Sequence, residues 1–307
     1  MEKGVNTEKI AIVHDSGSSL HGNYIDNNFP SLVEVPFTIT AVDSDGHKEW
    51  IDNPFKSDKE KAEFIHDLNT TQMVTSQPNP EGYTKVFKDI INDGITEIAV
   101  VPISRSLSGS INSAELAALG LRNEANIVVA DCKTISIGQG LLITQADIEN
   151  RKGEFENATQ LVDRIEQLSK NVYVAQAFSS LEHLRKGGRI GLASSMVGGI
   201  LGIIPIIGVN EEGILEPIDK KRGWRRSREA IIDYVSENVG QKAVRLALVH
   251  FESDQLDNLR QEIKDRFVIA TDENDTPYDT IECEQNMVTA VHSGPGVVGL
   301  GALIVDR

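Results

Sequence analysis

Short apolar runs recur along the chain, separated by stretches whose apolar residues fall three and four apart. Lys9-Ile-Ala-Ile-Val-His14, Ile98–Ile103, Ile127–Ala130, Val172–Ala175 and Val244–His250 read as buried strands. Val35–Val42 and His47–Ile51, joined by Asp43-Ser-Asp-Gly46, read as a hairpin. Ser57 with Glu60 forms a capping box that opens an amphipathic helix through Leu68. Asn69–Pro80 reads as a loop, and Asn79-Pro80 then starts a helix that Gly94 stops. Ile111, Ala114, Ala118 and Leu121 mark the inner face of another helix, and Leu141–Asn150 and Phe155–Leu168 supply two more. Ser179 with Glu182 starts a short helix that ends at Arg189, and Ser253–Phe267 reads as a later one. Strand and helix in alternation predict βαβ units on a parallel sheet. The division between two α/β domains is expected near 169, giving residues 8–169 and 170–307.

Two stretches depart from this rhythm. In Val100–Ser113 an apolar strand runs into a loop of hydroxyls around Gly109, and a helix follows. That order lets backbone N–H groups and hydroxyls converge on an anion, but Ser106 and Ser108 also suit plain helix capping. Ile190–Val209 contains no formal charge and is long enough to cross a bilayer, with Arg185, Lys186 and Arg189 beside one end. Its glycines, serines and Pro205 favour a small-residue helix followed by a buried strand. Such a segment also suits the lining of an apolar cavity.

Charge narrows the choice of partner. The 307 residues include 46 acidic and 30 basic side chains, for a net charge of -16. That surface repels phosphate backbones, so no nucleic acid partner is expected. The dense basic run, Lys220–Arg228, reads either as a solvated loop or as a docking patch for an acidic or phosphate-bearing partner. Cys132 and Cys283 form neither a disulfide framework nor a metal-ligand spacing, which suits a reducing cytosol. The first residues lack an apolar signal core, so a cytoplasmic protein without stable membrane insertion is expected.

Several chemistries lack their motif. G-x-x-x-x-G-K-[ST], G-x-S-x-G, H-E-x-x-H and C-x-x-C are all missing. Gly294-Pro-Gly-Val-Val-Gly299 matches a dinucleotide fingerprint by letters alone, because too few residues follow to build its βαβ unit. Its tight turn matters more, since it can hold His292 at a strand end. Asn69–Pro80, Val100–Ser113, Lys186–Val209 and Met287–Val305 share a lack of carboxylates until close to the chain's end. Convergent hydroxyls with one His and one Arg suit a carboxylate or phosphate head group.

Five separated motifs then resemble those of one family. They are Ile12-Val-His-Asp-Ser-Gly-Ser-Ser-Leu20, Val74-Thr-Ser-Gln-Pro-Asn-Pro80, Ser104-Arg-Ser-Leu-Ser-Gly-Ser-Ile-Asn-Ser113, Leu184-Arg-Lys-Gly-Gly-Arg-Ile190 and His292-Ser-Gly-Pro-Gly296. In order and spacing they are similar to the DegV family, the bacterial fatty-acid-binding proteins that serve fatty acid kinase. The resemblance implies an N-terminal three-layer α/β domain with a parallel sheet and a C-terminal α/β domain with a mixed sheet. It implies a long-chain fatty acid in a buried tunnel, no cofactor, no metal and no catalytic residue. The carboxylate would meet Thr75, Ser76, Ser108, Gly109 and His292, with Arg189 near the head group or an incoming phosphate. A separate kinase would then phosphorylate the carboxylate. Gly17, Val74 and Asn79 depart from the usual Thr or Ser, Thr, and Ser, and the first departure weakens the part expected of the first loop.

Two other readings stand beside the carrier. Ser108 as nucleophile with His292 as base would make a free-standing acyl-transfer or hydrolytic enzyme. A regulatory module with a structural, non-exchanging lipid is the third.

Overall fold

The computed structural model describes residues 9–20, 23–43, 46–196 and 202–305. Its first half runs β1 (Ile10–Asp15), α1 (Asn23–Asn28), β2 (Val33–Val35), β3 (Thr38–Asp43), β4 (Gly46–Ile51), α2 (Asp58–Thr70) and β5 (Gln72–Ser76). It continues through α3 (Pro80–Asn92), β6 (Glu97–Val101), α4 (Ser110–Gly120), β7 (Asn126–Val129), α5 (Ile137–Arg151) and α6 (Ala158–Leu168). The second half begins with β8 (Val172–Ala177), α7 (Glu182–Lys186), β9 (Ile203–Val209), β10 (Leu215–Arg222) and α8 (Trp224–Val239). It ends with β11 (Ala243–Phe251), α9 (Leu256–Glu262), β12 (Val268–Ile269), β13 (Ile281–Glu284), α10 (Met287–Ser293) and β14 (Val297–Ile304).

Three sheets organise these elements. The order β2-β1-β6-β7 is parallel throughout, as the βαβ alternation predicts. A mixed sheet runs β10-β9-β8-β14-β11-β12, with β13 also on β11. The third, β4-β3-β5, is antiparallel. The fold class is therefore the α/β arrangement expected, with a parallel and a mixed sheet.

Helices fill the space between the sheets. Tyr83 and Phe87 of α3 and Ala114 of α4 cover one face of the parallel sheet. Leu141 of α5 and Leu161 of α6 cover the other. The same α5 cluster continues onto Val174, Ala247, Val249 and Leu303 of the mixed sheet. Ile231 and Val235 of α8 close that sheet's far face. Helix α5 is thus buried on both sides, which is why its first turn carries no amphipathic signal and begins before Leu141.

Local rules account for the helix ends that define the loops. Asn79 accepts the Gly82 N–H at 2.8 Å with Pro80 in the first turn, and Ser57 Oγ accepts the Glu60 N–H at 3.2 Å. Beyond α3, Gly94 takes a φ of 91°, a left-handed value that suits glycine.

Some segments differ from expectation. The stretch taken as a loop from Asn69 contains β5, which pairs with β3 from Thr38↔Ser76 to Val42↔Gln72. It is an edge strand with alternately exposed and half-buried residues, so it lacks the apolar content that marks an interior strand. The capping hydroxyl at α7 is that of Ser180, which accepts the Glu182 N–H at 3.1 Å; Ser179 Oγ donates instead to the Pro295 carbonyl. Lys220–Arg228 is the end of β10 and the first turn of α8, not a loop. In the uncharged run, Gly191–Met196 forms a 3-10 turn and Ile203–Val209 the buried strand β9, with 197–201 outside the described residues. The hairpin tip at 44–45 also lies outside them, although β3 and β4 pair as expected. Among the described residues no helix is long and apolar enough to cross a membrane.

Candidate functional site

A fourth core cluster sits where the small antiparallel sheet, α2, α7 and α10 meet the ends of β8, β9 and β11. Phe37, Ile39, Phe64, Phe178, Leu184, Phe251, Val288 and Val291 belong to it. Burying such side chains contributes roughly 1.5–3 kcal/mol each. Inside it runs a narrow cavity of about 90 Å³, walled by Phe37, Ile103, Leu107, Phe178, Ile207 and Val288. Its polar lining gathers residues far apart in sequence, among them Thr75, Ser108, Arg189 and His292.

Each side chain is placed by its element. Thr75 points inward from β5 and is half-buried; the pleat turns the exposed Ser76 to the opposite face. Ser76 is therefore not among the cavity-lining residues, while Gln77 is. His292 lies in the last turn of α10 and not at a strand end; the turn through Gly294 and Gly296 leads from that helix into β14. Thr75 Oγ1 and His292 Nε2 are 2.9 Å apart. The other ring nitrogen, His292 Nδ1, is buried with no hydrogen-bond partner among the described residues. It packs against the backbone of Gly187, where an added Cβ would stand 2.2 Å from it. Gly294 accommodates His183 in the same way, so the last residues of α7 and α10 interlock through two glycines and two histidines.

Burial lowers the His292 pKa to about 4, helped by the positive charge of Arg189 and by His183. The ring is neutral at physiological pH and holds one proton. With that proton on Nε2 it donates to Thr75 Oγ1, leaving the threonine O–H free to donate onward. Arg189 holds its place through its own backbone neighbours: Nη1 donates to the Gly187 carbonyl at 2.6 Å and Nε to the Leu107 carbonyl at 3.5 Å. A vestibule of about 420 Å³ adjoins the cavity and shares Thr75, Arg189 and His292 with it. Lys186 and His183 also line it, and among the described residues no Asp or Glu does.

The loop after β6 also lines the cavity, through Ile103, Leu107 and Ser108. Ser108 Oγ accepts the Ser110 N–H at 3.2 Å, so it caps α4 and lines the cavity at once. Gly109 precedes α4 and packs against the Gln77 side chain, which lies 2.5 Å from where a Cβ would be. Gly17 also lines the cavity; Ile103 Cγ2 fills its Cβ position at 2.1 Å, so a threonine or serine there would displace Ile103.

Polar lining residues outside the expected set include Gln176, Gln285 and Ser293. Gln285 Nε2 donates to Gln176 Oε1 at 3.3 Å, and Ser293 Oγ donates to Gln285 Oε1. All three are buried on the cavity wall. An amide between two alanines in β8 is the signal that could have found Gln176, because an apolar strand admits a polar group only with a partner. Among the described residues no cluster of His, Cys, Asp and Glu is arranged to hold a metal ion.

The model of the family described as "Uncharacterised protein, DegV family" matches residues 9–305. The chain belongs to the DegV family. A DegV domain-containing protein of Clostridium acetobutylicum is 28% identical over 294 residues, which are 95% of this chain and 98% of that one. Among solved structures, a DegV family protein from Thermus thermophilus described for its fatty acid binding is 25% identical, with a TM-score of 0.81 over 97% of this chain and 100% of that one. The Streptococcus pneumoniae Fatty Acid Kinase (Fak) B3 protein, solved loaded with linoleic acid, shares the fold at 21% identity and a TM-score of 0.77, covering 97% of this chain and 100% of that one. In this DegV chain, the five motifs that carried the resemblance thus border one cavity or the elements that shape it.

Proposed function

We propose that this chain binds a long-chain fatty acid, with the tail in the apolar cavity and the carboxylate at Thr75, Ser108 and His292. The observation that carries the reading is the Thr75–His292 pair standing at the wall of a cavity that Phe37, Ile103, Leu107, Phe178, Ile207 and Val288 also line. Neutral His292 donates to Thr75, whose hydroxyl then donates to the carboxylate, joined by Ser108 and the Gly109 backbone. Ser76 contributes through its backbone position in β5 and not through its exposed hydroxyl. Each buried CH₂ contributes about 0.8 kcal/mol, so the tail supplies most of the affinity. The fatty-acid binding of the Thermus relative supports this assignment.

The carrier presents its carboxylate to a separate fatty acid kinase in the cytoplasm, and Arg189 with the carboxylate-free vestibule receives the incoming phosphate. The linoleic-acid-loaded Fak B3 relative supports that partner. Kinase docking falls to the exposed cations of the basic run. Arg228 is not one of them, being buried and paired with Glu262. The carrier uses no cofactor and needs no catalytic group of its own. A hydrolase built on Ser108 and His292 is disfavoured, because the hydroxyl that meets His292 belongs to Thr75 and Ser108 Oγ is engaged with α4. The two-domain division near 169 and 170 goes with this reading, the lipid lying against both units.

Reversing Arg222, Arg225 and Arg226 to Glu should spare lipid binding yet abolish acyl-phosphate formation in a reconstituted kinase assay. Normal phosphorylation by that variant refutes the docking surface, and sustained ester or acyl-phosphate turnover by the wild-type chain alone, lost in Ser108→Ala, refutes the carrier.

A further inference from the structure

Thr75 and His292 come from different elements, and their contact requires β5 and α10 to hold a fixed separation. One buried carboxylate ties α10 to the small sheet that contains β5. Asp52 directly follows β4, in the small sheet that also carries Thr75. Its backbone N–H donates to the Phe37 carbonyl at 2.9 Å, which locks it beside the start of β3. Its side chain is fully buried. Oδ1 accepts the Val288 N–H in the first turn of α10 at 3.1 Å. Oδ2 accepts from Ser16 Oγ at 2.6 Å, and Ser16 Oγ accepts the Phe37 N–H at 3.0 Å. His292 follows Val288 by four residues, one helical turn.

The setting is costly for an acid. Burial, with a smaller contribution from the negative charge of Asp15, raises the Asp52 pKa to about 7. Glu34, facing the same region, is raised to about 8 by burial and by Asp52 and Asp15. Among the described residues Asp52 has no salt-bridge partner, and its hydrogen bonds run to α10, to Ser16 after β1 and to Phe37 at the start of β3. An apolar side chain would avoid the desolvation but would leave the Val288 N–H and the Ser16 hydroxyl without this acceptor.

We propose that Asp52 is a positioning residue for the head-group site: it fixes the first turn of α10 to the small sheet and thereby sets the Thr75–His292 contact. Its consequence for binding rests on the fatty-acid reading; its effect on His292 does not. The test uses the full chain as wild type, Asp52→Asn, Ser16→Ala and Phe87→Leu, the last a core change between α3 and the parallel sheet. Long-range ¹H–¹⁵N spectra read the ring nitrogens of His292, assigned with His292→Gln, and oleate binding is titrated in parallel. Asp52→Asn should shift the His292 Nε2 resonance and weaken oleate binding about tenfold, and Ser16→Ala should move both the same way by about threefold. Phe87→Leu should lower the melting temperature and move neither. An unchanged His292 resonance in Asp52→Asn overturns the proposal, as does an equal shift in Phe87→Leu. If Asp52→Asn does not fold, an unchanged His292 resonance in Ser16→Ala overturns it. A wild-type chain that binds no oleate defeats the fatty-acid reading, while the His292 resonance still decides the role of Asp52.

Discussion

Two polar clusters reach α10 from opposite ends, and they differ in how completely they are bonded. Below its first turn, Asp15 accepts from the Ile103 N–H, the Gly17 N–H and Gln139 Nε2, and Asp52 accepts from Val288 and Ser16. At its last turn, His292 has one bonded and one unpartnered nitrogen, and Arg189 leans on two backbone carbonyls beside an open vestibule. Buried acids thus serve as scaffold in one place, and a histidine and an arginine form the candidate site in the other. The two carboxylates are bonded at both oxygens, which leaves them little to offer a ligand, whereas His292 Nδ1 has no partner among the described residues; Gln139 Oε1 is a second such atom on the scaffold side.

That contrast breaks if the scaffold cluster proves dispensable. Asp15→Ala strands the Ile103 and Gly17 N–H groups, so it should cost about 3 kcal/mol of unfolding free energy in urea titrations. A loss below about 1 kcal/mol would mean that the cluster relaxes around the gap. Thr75→Val probes the other end. It should weaken fatty-acid binding about tenfold while changing the stability of the lipid-free chain by under about 1 kcal/mol. Equal effects on stability and binding would erase the distinction.

The smallest effect is a dependence on pH. Glu34 and Asp52, with pKa values raised to about 8 and about 7, keep protons in the folded chain that the unfolded chain has already lost. Folding therefore takes up protons, and stability falls as pH rises from 6.5 to 8. His14 and His292, lowered to about 4, are neutral across that window in the folded chain, while the same imidazoles in the unfolded chain lose about half a proton each, which offsets the fall by about 0.4 kcal/mol per histidine. The loss should be about 1 kcal/mol after allowing for the partial exposure of Glu34, measured by urea unfolding at the two pH values. Stability that rises over this window would contradict the burial of these acids.

Much of the architecture was legible because strand and helix periods differ and because capping residues announce helix starts. Asn79-Pro80 and Ser57 did so directly. Strand β5 was not, since an exposed edge strand with Val74 at 49% exposure has no apolar face to advertise. His292 was found, but its helical setting was not: seven residues give too short a window for periodicity, and the Gly-Pro-Gly turn read as its support. Ser108 and His292 were singled out from their own loop and turn, while Thr75, Ser76, Gly109 and Arg189, and the head-group role of all six, entered through motif resemblance. Only the pleat of β5 tells Thr75 from Ser76. Asp52 was invisible from sequence, because an acid among polar residues gives no sign of burial until its partners from residues 16 and 288 are brought to it.

The central claim is that the apolar cavity behind Thr75 and His292 holds an acyl chain. Native mass spectrometry of the purified full chain, before and after organic extraction, tests it most directly. The account predicts an adduct with the mass of one long-chain fatty acid, lost on extraction and restored by added oleate. A chain that shows only its bare mass, yields no fatty acid to the solvent and takes up none when oleate is added would contradict it.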